Sequence, residues 1–324
     1  MRSRLRIVTL FLISFLALIF LAIVREHPEQ HSPERSQGSR ATKFSVSRRT
    51  AEVKVSVNTS WSMEYRVIHE PYVFDEEKSV LIVVTSAPGN LEKRNEIRRG
   101  WGSWPHVRVV YLIGVPANYS EEQRRKIAKE VSDHGDVVQI DFVDTYRNLT
   151  LKSCALVMWA VRNSWPGRDV VIKADDDTCV NMPLLSSILE DFTDGVYGDY
   201  REKRKPLRCK RKGCNKWGLT LDEYEDQTFP PHVQGAFYVI TESVLGDLYE
   251  KLFEPKYLFI EDVYLTGLVT RVAEVPVRPM PSGARINPMV PGKSWLEQKN
   301  LVAQHRCRGK LQKQFWAKSI GKTP

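Results

Sequence analysis

Short apolar runs alternate with amphipathic stretches along most of the chain between residues 80 and 241. Val80 to Val84 and Val170 to Ile172 are continuous apolar runs with the length of a buried strand. Further strands are predicted at 107–113, 137–140 and 233–241, and helices at 94–99, 121–134 and 150–163. This alternation predicts an α/β domain, with a mostly parallel, Rossmann-type sheet and helices on both faces.

The N-terminus carries a different pattern, an apolar stretch without charge. Residues 7–24 contain no charged side chain, and Arg2, Arg4 and Arg6 precede them. The stretch is longer than a typical signal-peptide core and no small-x-small cleavage site follows it, although a cleaved signal peptide is the alternative. Because arginines favour the cytoplasmic side, we predict a type II signal anchor with the remaining chain in the lumen.

Composition divides the chain into a cytoplasmic tail (1–6), a transmembrane anchor (7–24), a polar stem (25–66) and a lumenal domain (67–324). Glycosylation sequons that begin at Asn58, Asn118 and Asn148 suit a lumenal domain. The hydrophobic content of 42% indicates a globular body. The net charge of +9 would fit nucleic-acid binding, but much of the excess is clustered locally and would face a lumen.

Three adjacent carboxylates, Asp175, Asp176 and Asp177, follow the second apolar run. Unpaired carboxylates at a buried strand end are costly, and a divalent cation bound by their oxygens would offset that cost. Asp175 and Asp177 point the same way on an extended chain. The alternative is a solvated turn before a helix that Asn181 caps. A calcium EF-hand loop is excluded because its sixth position is Val180 instead of Gly.

Other charged residues offer phosphate-binding and acid–base chemistry. Arg94 and Arg98 lie four apart beyond a strand, where α/β sheets bind phosphates, although an ordinary surface helix is the alternative. Glu261 and Asp262 precede an apolar helix, and they either cap it or present a general base. His305 follows a short apolar run, where a lone histidine is usually structural.

Nine of the residues from 201 to 216 are Lys or Arg, and Cys209 and Cys214 lie among them. Two cysteines are too few for a zinc site, so we predict a local disulfide in an oxidising lumen. The basic segment is expected to be solvated, with contact to an acidic acceptor as the alternative. Of the remaining cysteines, we predict a free thiol at Cys179, which leaves Cys154 and Cys307 as a possible second pair.

The order of these motifs resembles the β-1,3-galactosyltransferases of glycosyltransferase family 31, over about residues 80 to 316. The similarity is carried by the motifs at 94–102 (RNEIRRGWG), 146–152 (YRNLTLK), 173–181 (KADDDTCVN), 216–224 (KWGLTLDEY), 233–241 (VQGAFYVIT), 261–267 (EDVYLTG) and 304–305 (QH). The chain departs from the family pattern at Gly100, at 178–179 and at 236–237. These departures bear on the identity of the sugar more than on the fold.

The resemblance implies a GT-A-like fold, a UDP-sugar donor, Mn²⁺ and inversion at the anomeric carbon. The implied metal ligands are Asp175, Asp177 and, at the end of the chain's last motif, His305. The residues expected near the donor are Arg94, Arg98, Lys173, Asp175 and Asp176.

The implied general base is Asp262, with Glu261 as the second choice. It takes the proton from the acceptor hydroxyl, which attacks opposite the leaving UDP. The Glu-Asp form at 261–262 resembles galactosyl-transferring members, whereas N-acetylglucosaminyl members more often have Asp-Asp.

We therefore predict a type II Golgi membrane enzyme that transfers galactose from UDP-galactose in β-1,3 linkage to an acceptor glycan on glycoprotein or glycolipid. The alternatives are a β-1,3-N-acetylglucosaminyl- or N-acetylgalactosaminyltransferase and, from another class, an inactive lectin-like Golgi protein. An inactive protein is expected to have lost some of the acidic site residues, whereas this chain keeps both Asp175 and Asp177 and both Glu261 and Asp262.

Overall fold

The computed structural model describes residues 60–71, 80–163, 169–211, 215–287, 289 and 298–321. All of them belong to the unit that spans Arg48–Pro324. The predicted tail, the predicted anchor and most of the predicted stem lie outside the described residues. Within the described ranges, no helix has the length and apolar character that crossing a membrane requires.

An eight-stranded mixed sheet and a three-stranded sheet organise the described chain. The larger sheet has the order β1-β4-β3-β2-β5-β8-β7-β9 and the smaller one the order β10-β11-β6. The strands are β1 (Val67–His69), β2 (Val80–Thr85), β3 (Val107–Val115), β4 (Val137–Val143), β5 (Val170–Asp175), β6 (Cys179–Val180), β7 (Val196–Arg201), β8 (His232–Thr241), β9 (Val277–Pro279), β10 (Arg285–Asn287) and β11 (Leu301–Gln304).

The centre of the larger sheet is parallel, as the alternation of strands and helices predicts. Strand β2 pairs in parallel with β3 on one side and β5 on the other, and β3 pairs in parallel with β4. The flanks are mixed, because β1 pairs antiparallel with β4 and β8 pairs antiparallel with both β5 and β7, whereas the edge strand β9 pairs in parallel with β7. The prediction of a mostly parallel sheet therefore holds for β2 to β5 and for the pair of β7 and β9, and not for the pairings of β1 and β8.

Helices occupy the connections between these strands. They are α1 (Leu91–Arg99), α2 (Glu121–His134), α3 (Leu149–Arg162), α4 (Met182–Ser187), α5 (Leu245–Lys251), α6 (Glu261–Val263), α7 (Thr270–Val272) and α8 (Lys310–Ser319). A π-helical segment, Tyr264–Val269, joins α6 to α7. Short 3-10 turns lie at Trp101–Ser103, Tyr146–Asn148, Leu189–Asp191, Glu242–Val244 and Pro281–Gly283.

The continuous apolar runs are explained by burial on both faces of the sheet. Successive side chains of a strand point to opposite faces. Leu81 and Val83 pack in a cluster with most of α3, whereas Val80, Ile82 and Val84 pack in a second cluster that also takes residues of α1 and α4. Helices therefore cover both faces, as predicted.

Local capping signals account for several helix ends. Ser120 and Gln123 form a reciprocal capping box at the start of α2, and Gly135 ends that helix in the left-handed conformation with φ 61°. The Asn181 side chain accepts a hydrogen bond of 3.2 Å from the Leu184 amide at the start of α4, so the predicted cap is confirmed.

The predicted cysteine pairing is wrong. Cys179 and Cys307 form a disulfide with their Cα atoms 5.6 Å apart, and Cys154 is a buried free thiol. Cys154 lies on α3 inside the cluster with Leu81, whereas β6 carries Cys179 to the small sheet, where β11 leads directly into Cys307. Cys209 is disulfide-bonded, and its predicted partner Cys214 lies outside the described residues.

Candidate active site

A cavity of about 1110 Å³ opens at the carboxyl ends of the parallel strands. Strands β2 and β5 end there at Thr85 and Asp175, which are paired in register. This edge is where open α/β sheets bind their ligands. The cavity lining includes all three adjacent aspartates, Lys173, the acidic pair at 261–262 and His305.

Asp175, Asp177 and His305 form a three-residue group whose ligand atoms lie within 4.8 Å of one another. The His305 Nε2 atom lies 3.2 Å from Asp177 Oδ1 and 4.0 Å from Asp175 Oδ2. Two carboxylates and one imidazole suit a divalent metal such as Mn²⁺. Partial burial opposes the charge of Asp177, but the hydrogen bond and charge of His305 lower its pKa below the ordinary value.

Asp176 is bound by the segment after β2. Its carboxylate accepts hydrogen bonds from Ser86 Oγ (2.7 Å), Asn90 Nδ2 (2.8 Å) and Lys93 Nζ (2.8 Å). Three donors on one carboxylate satisfy most of its acceptor capacity. Asp176 therefore ties α1 and its preceding loop to the end of β5.

Lys173 bridges Asp175, at the end of β5, and Glu261, at the start of α6. Its buried ammonium donates to Asp175 Oδ1, to the Gly235 carbonyl and, at 3.3 Å, to Glu261 Oε1. Burial disfavours the ammonium, yet the charges of Asp175 and Glu261 prevail and hold the pKa of Lys173 above its ordinary value. The lysine therefore neutralises carboxylates that would otherwise repel one another.

Glu261 is a buried member of the cavity lining. It accepts a 2.6 Å hydrogen bond from Ser153 Oγ on α3, in addition to its contact with Lys173. Burial raises the pKa of Glu261 to about 7, although Lys173 opposes the shift. This carboxylate is thus tied to the interior on both oxygens.

Asp262 presents its carboxylate to the cavity. The Gly235 amide donates to its Oδ2 at 3.1 Å, and the Val263 amide donates to its Oδ1 at 2.9 Å. A Cβ built at Gly235 would lie 2.4 Å from Glu261 Oε1, so a larger residue there would displace the Glu261 carboxylate. Two backbone donors therefore fix the orientation of a partly exposed carboxylate.

Arg94 and Arg98 are not brought into the cavity. Arg94 is fully buried and forms a two-pronged ion pair with Glu130 on α2, at 2.7 and 2.6 Å. It also donates to the Ala87 and Pro88 carbonyls. Arg98 pairs with Glu130 and with Asp136. Arg94 therefore supports the loop after β2, and Arg98 supports Glu130 beside it. Neither arginine is part of the cavity lining, and their expected place near the donor stays a prediction.

Several residues of the site are missed by sequence reasoning. Ser153 and Lys93 contact Glu261 and Asp176, and the buried Lys152 donates to Asp144 Oδ2 at 2.7 Å and to the Ser86 carbonyl at 2.8 Å. Lys152 ends the motif at 146–152, and a lysine on the buried face of an apolar helix was the signal for it.

The galactosyltransferase family model matches residues 92–281, which is more than half of the 324 residues. The chain belongs to this family. The match begins in α1 and runs to the turn before β10, so it includes the acidic residues at 175–177 and at 261–262. His305 follows the matched region.

The relatives that this chain resembles are named for different sugars. Human lactosylceramide 1,3-N-acetyl-beta-D-glucosaminyltransferase is 30% identical over 66% of this chain and 59% of its own length. Beta-1,3-galactosyltransferase brn of Drosophila melanogaster is 28% identical over 63% of each chain. Beta-1,3-galactosyltransferase 5 of Pan troglodytes is 27% identical over 73% of this chain and 80% of its own. The chain thus spans less than two thirds of the first two relatives.

Among solved structures, the mannosyltransferase from Pyrobaculum calidifontis in complex with GDP-Man and Mn²⁺ is similar at a TM-score of 0.39 and 15% identity. The likeness covers 72% of this chain and 63% of that one.

Proposed function

We propose that the protein is an inverting, metal-dependent β-1,3-hexosyltransferase that transfers galactose from UDP-galactose to a hydroxyl group of an acceptor glycan. The observation that carries this proposal is the pairing, in one cavity, of the group Asp175, Asp177 and His305 with the oriented carboxylate of Asp262. A donor site and a proton acceptor in the same cavity are what a single-displacement transfer requires.

The residues that would hold the divalent ion are Asp175, Asp177 and His305, whose oxygen and nitrogen donors suit Mn²⁺. When bound, such an ion neutralises the negative charge that develops on a departing diphosphate. Lys173 keeps Asp175 in place through its direct ion pair. Asp176, with its three donors, holds the loop that leads from β2 to α1 beside this group.

In the proposed reaction the acceptor hydroxyl oxygen attacks the anomeric carbon of the donor sugar. The new C–O bond forms as the bond between that carbon and the UDP oxygen breaks, and the electron pair leaves with UDP. Asp262 takes the hydroxyl proton, because its carboxylate faces the cavity while two backbone amides fix its position. Glu261 remains the second choice for the base, since both of its oxygens already bind interior donors.

Galactose is proposed on the Glu-Asp form at 261–262, and the similar relatives include proteins named for galactose and for N-acetylglucosamine. UDP-N-acetylglucosamine is therefore the alternative donor. We further propose that the enzyme is a type II Golgi membrane protein that acts on glycans of glycoproteins or glycolipids. The apolar stretch at 7–24 and the arginines before it support this placement.

A donor-hydrolysis and transfer panel on the full-length protein in detergent tests the proposal. UDP-galactose, UDP-N-acetylglucosamine and UDP-N-acetylgalactosamine are each supplied with Mn²⁺, Mg²⁺, Ca²⁺ or excess EDTA. We expect the highest rate with UDP-galactose and Mn²⁺, and none with EDTA. Asp177→Ala should weaken Mn²⁺ and UDP binding, whereas Glu250→Ala, an exposed carboxylate outside the cavity, should not.

Full activity in excess EDTA would refute the metal role of Asp177 and its neighbours. Turnover with another UDP-sugar alone would change the donor and leave the reaction class intact. Glycan binding without hydrolysis of any donor would favour the lectin-like alternative.

A further inference from the structure

The cavity lining carries both signs of charge. Besides the acidic residues at the end of β5 and in α6, it includes four cations that lie outside the candidate metal group, here named the basic wall: Arg201, Arg204, Lys205 and Lys216. The basic wall comes from β7 and from the Lys- and Arg-rich segment that follows it. The metal group and the proposed base use none of these four residues, so the proposed reaction leaves their purpose open.

Two members of the basic wall are exposed and form no ion pair within the described ranges. Arg204 and Lys205 are exposed at the cavity, and an ion pair joins neither of them to another residue of the described ranges. Arg201, in contrast, pairs with Asp199 and donates to Gln234 Oε1 at 3.2 Å. Exposed cations that line a cleft attract anionic ligands into it.

Exposed aromatic rings adjoin the cations. Lys216 Nζ lies 4.3 Å from the ring centre of Tyr146 and 5.3 Å from that of Trp217. Trp217 is 52% exposed and Tyr146 is 38% exposed, although both are large and line the cavity. Exposed aromatic surface inside a cleft is typical of a binding groove.

The aromatic pair adjoins the segment that leads into Asp262. Arg147, which follows Tyr146, has its guanidinium carbon 3.9 Å from the ring centre of Phe259, three residues before Asp262. Tyr146, Trp217 and Asp262 all line the same cavity. The group that reaches Asp262 in the proposed reaction is the acceptor hydroxyl, so this part of the cavity belongs to the acceptor.

We propose that the acceptor glycan is anionic, with a carboxylate or sulfate that contacts Arg204 and Lys205 while one of its sugar rings packs on Trp217. Guanidinium and ammonium groups bind both kinds of anion through charge-assisted hydrogen bonds. The inference rests on the proposed transferase function, which it deepens by naming the class of acceptor.

The test compares three acceptors that share one neutral disaccharide core: the core itself, the core with a uronic acid, and the core with a sulfate ester. For each acceptor the transfer rate kcat/KM and the equilibrium Kd are measured with the full-length protein in detergent. We expect at least one anionic acceptor to have a kcat/KM about five- to ten-fold higher, and a Kd about five- to ten-fold lower, than the neutral core. This is the size expected for two partly solvated charge contacts. The preference should shrink as salt is added.

Two double variants that each remove two positive charges test which residues cause the preference for an anionic acceptor. The double variant Arg204→Gln/Lys205→Gln should lower the anionic-to-neutral ratio by about five- to ten-fold. The control Lys210→Gln/Arg211→Gln removes two exposed charges from the same segment outside the cavity lining and should leave the ratio unchanged. The uronic acid and sulfate arms distinguish which anion is preferred.

Several outcomes would overturn the inference. One is an anionic-to-neutral ratio near one in the native protein, and another is an unchanged ratio in Arg204→Gln/Lys205→Gln. A third is a loss of UDP-sugar affinity in that variant without a change in the ratio, since this would mean that the basic wall binds the donor. Failure of the proposed function has a different signature. In that case no UDP-sugar is turned over, while the Kd ratio still reports whether the basic wall selects anionic glycans.

Discussion

His305 stands beside Asp177 because each lies two residues before a half of one disulfide. Cys179 follows Asp177 at this spacing, Cys307 follows His305, and the two cysteines are bonded across a sequence separation of 128 residues. The Cys307 amide also donates a 2.8 Å hydrogen bond to the Asp177 carbonyl. A histidine from the end of the chain is thereby fixed against a carboxylate from its middle.

Breaking this disulfide should therefore loosen both the fold and the candidate metal group. Cys307→Ser removes a crosslink that closes a long loop, so we expect the free energy of unfolding to fall by about 2–5 kcal/mol. Mn²⁺ affinity should fall as well, because His305 loses its restraint. Urea unfolding and Mn²⁺ titration measure the two effects.

Cys154→Ala is the matched control, since Cys154 is a free thiol on α3. Its Mn²⁺ affinity should equal that of the native protein. Native Mn²⁺ affinity in Cys307→Ser would show that the disulfide stabilises the fold without holding His305.

A second prediction separates the two acidic residues of α6. Asp262→Asn keeps the size of the side chain and an oxygen for one of the two amide donors, but it removes the proton acceptor. We expect acceptor-dependent turnover to fall by about 10²–10⁴-fold, with donor affinity nearly unchanged. Steady-state transfer and UDP-sugar binding provide the comparison.

Glu261→Gln is the companion variant. It removes the partner of the buried Lys173, which also binds Asp175, so we expect weaker metal and donor binding and lower stability. Near-normal turnover in Asp262→Asn together with a loss of turnover in Glu261→Gln would instead identify Glu261 as the general base.

Local patterns were sufficient to predict most of the central sheet. The apolar run at Val80 to Val84 predicts a strand buried on both faces, and the two clusters to which its residues belong explain why it contains no polar position. The three aspartates after β5 could be placed at the ligand-binding edge for the same reason, because parallel strands end there together.

Long-range pairing could not be predicted from these patterns. The small sheet joins β6 to β11, and only this pairing brings Cys179 to Cys307. The roles of Arg94 and Arg98 depend on Glu130 and Asp136, and nothing in the spacing of the arginines indicates that these acids from α2 and its end lie beside them. Sequence motifs identified the charged residues, whereas tertiary contacts decided which of them reach the cavity.

In the predicted lumenal domain, the sequons at Asn118 and Asn148 differ in how accessible they are to N-glycosylation. Asn118 is exposed before α2. Asn148 is half-buried, its amide donates to the Val143 carbonyl at 2.8 Å, and the Thr150 hydroxyl is buried against the Leu258 carbonyl at 2.6 Å. We expect Asn118→Gln to remove one N-glycan in microsomes, and Asn148→Gln to remove none. The opposite pattern of gel shifts after glycosidase treatment would contradict this assignment.

The last prediction concerns the buried pair of Arg94 and Glu130, whose exposed side-chain fractions are 0% and 2%. Burial disfavours the Glu130 carboxylate, but hydrogen bonds and charges from both Arg94 and Arg98 prevail and hold its pKa below the ordinary value. A carboxyl group with a lowered folded-state pKa stabilises the protein above its unfolded-state pKa of about 4.3. That stabilisation is lost as the pH falls through the lower, folded-state value.

Glu130→Gln should therefore be destabilised most at neutral pH and progressively less, relative to the native protein, as the solution is acidified. At pH 7 the variant leaves Arg94 buried without its partner, so we expect a loss of about 3–5 kcal/mol in the free energy of unfolding. Urea unfolding of both proteins between pH 7 and pH 3 gives the difference at each pH. Glu121→Gln, on the exposed face of α2, should follow the native curve throughout. A Glu130→Gln difference that stays constant with pH would mean that packing, and not the ionised carboxylate, is what Glu130 contributes.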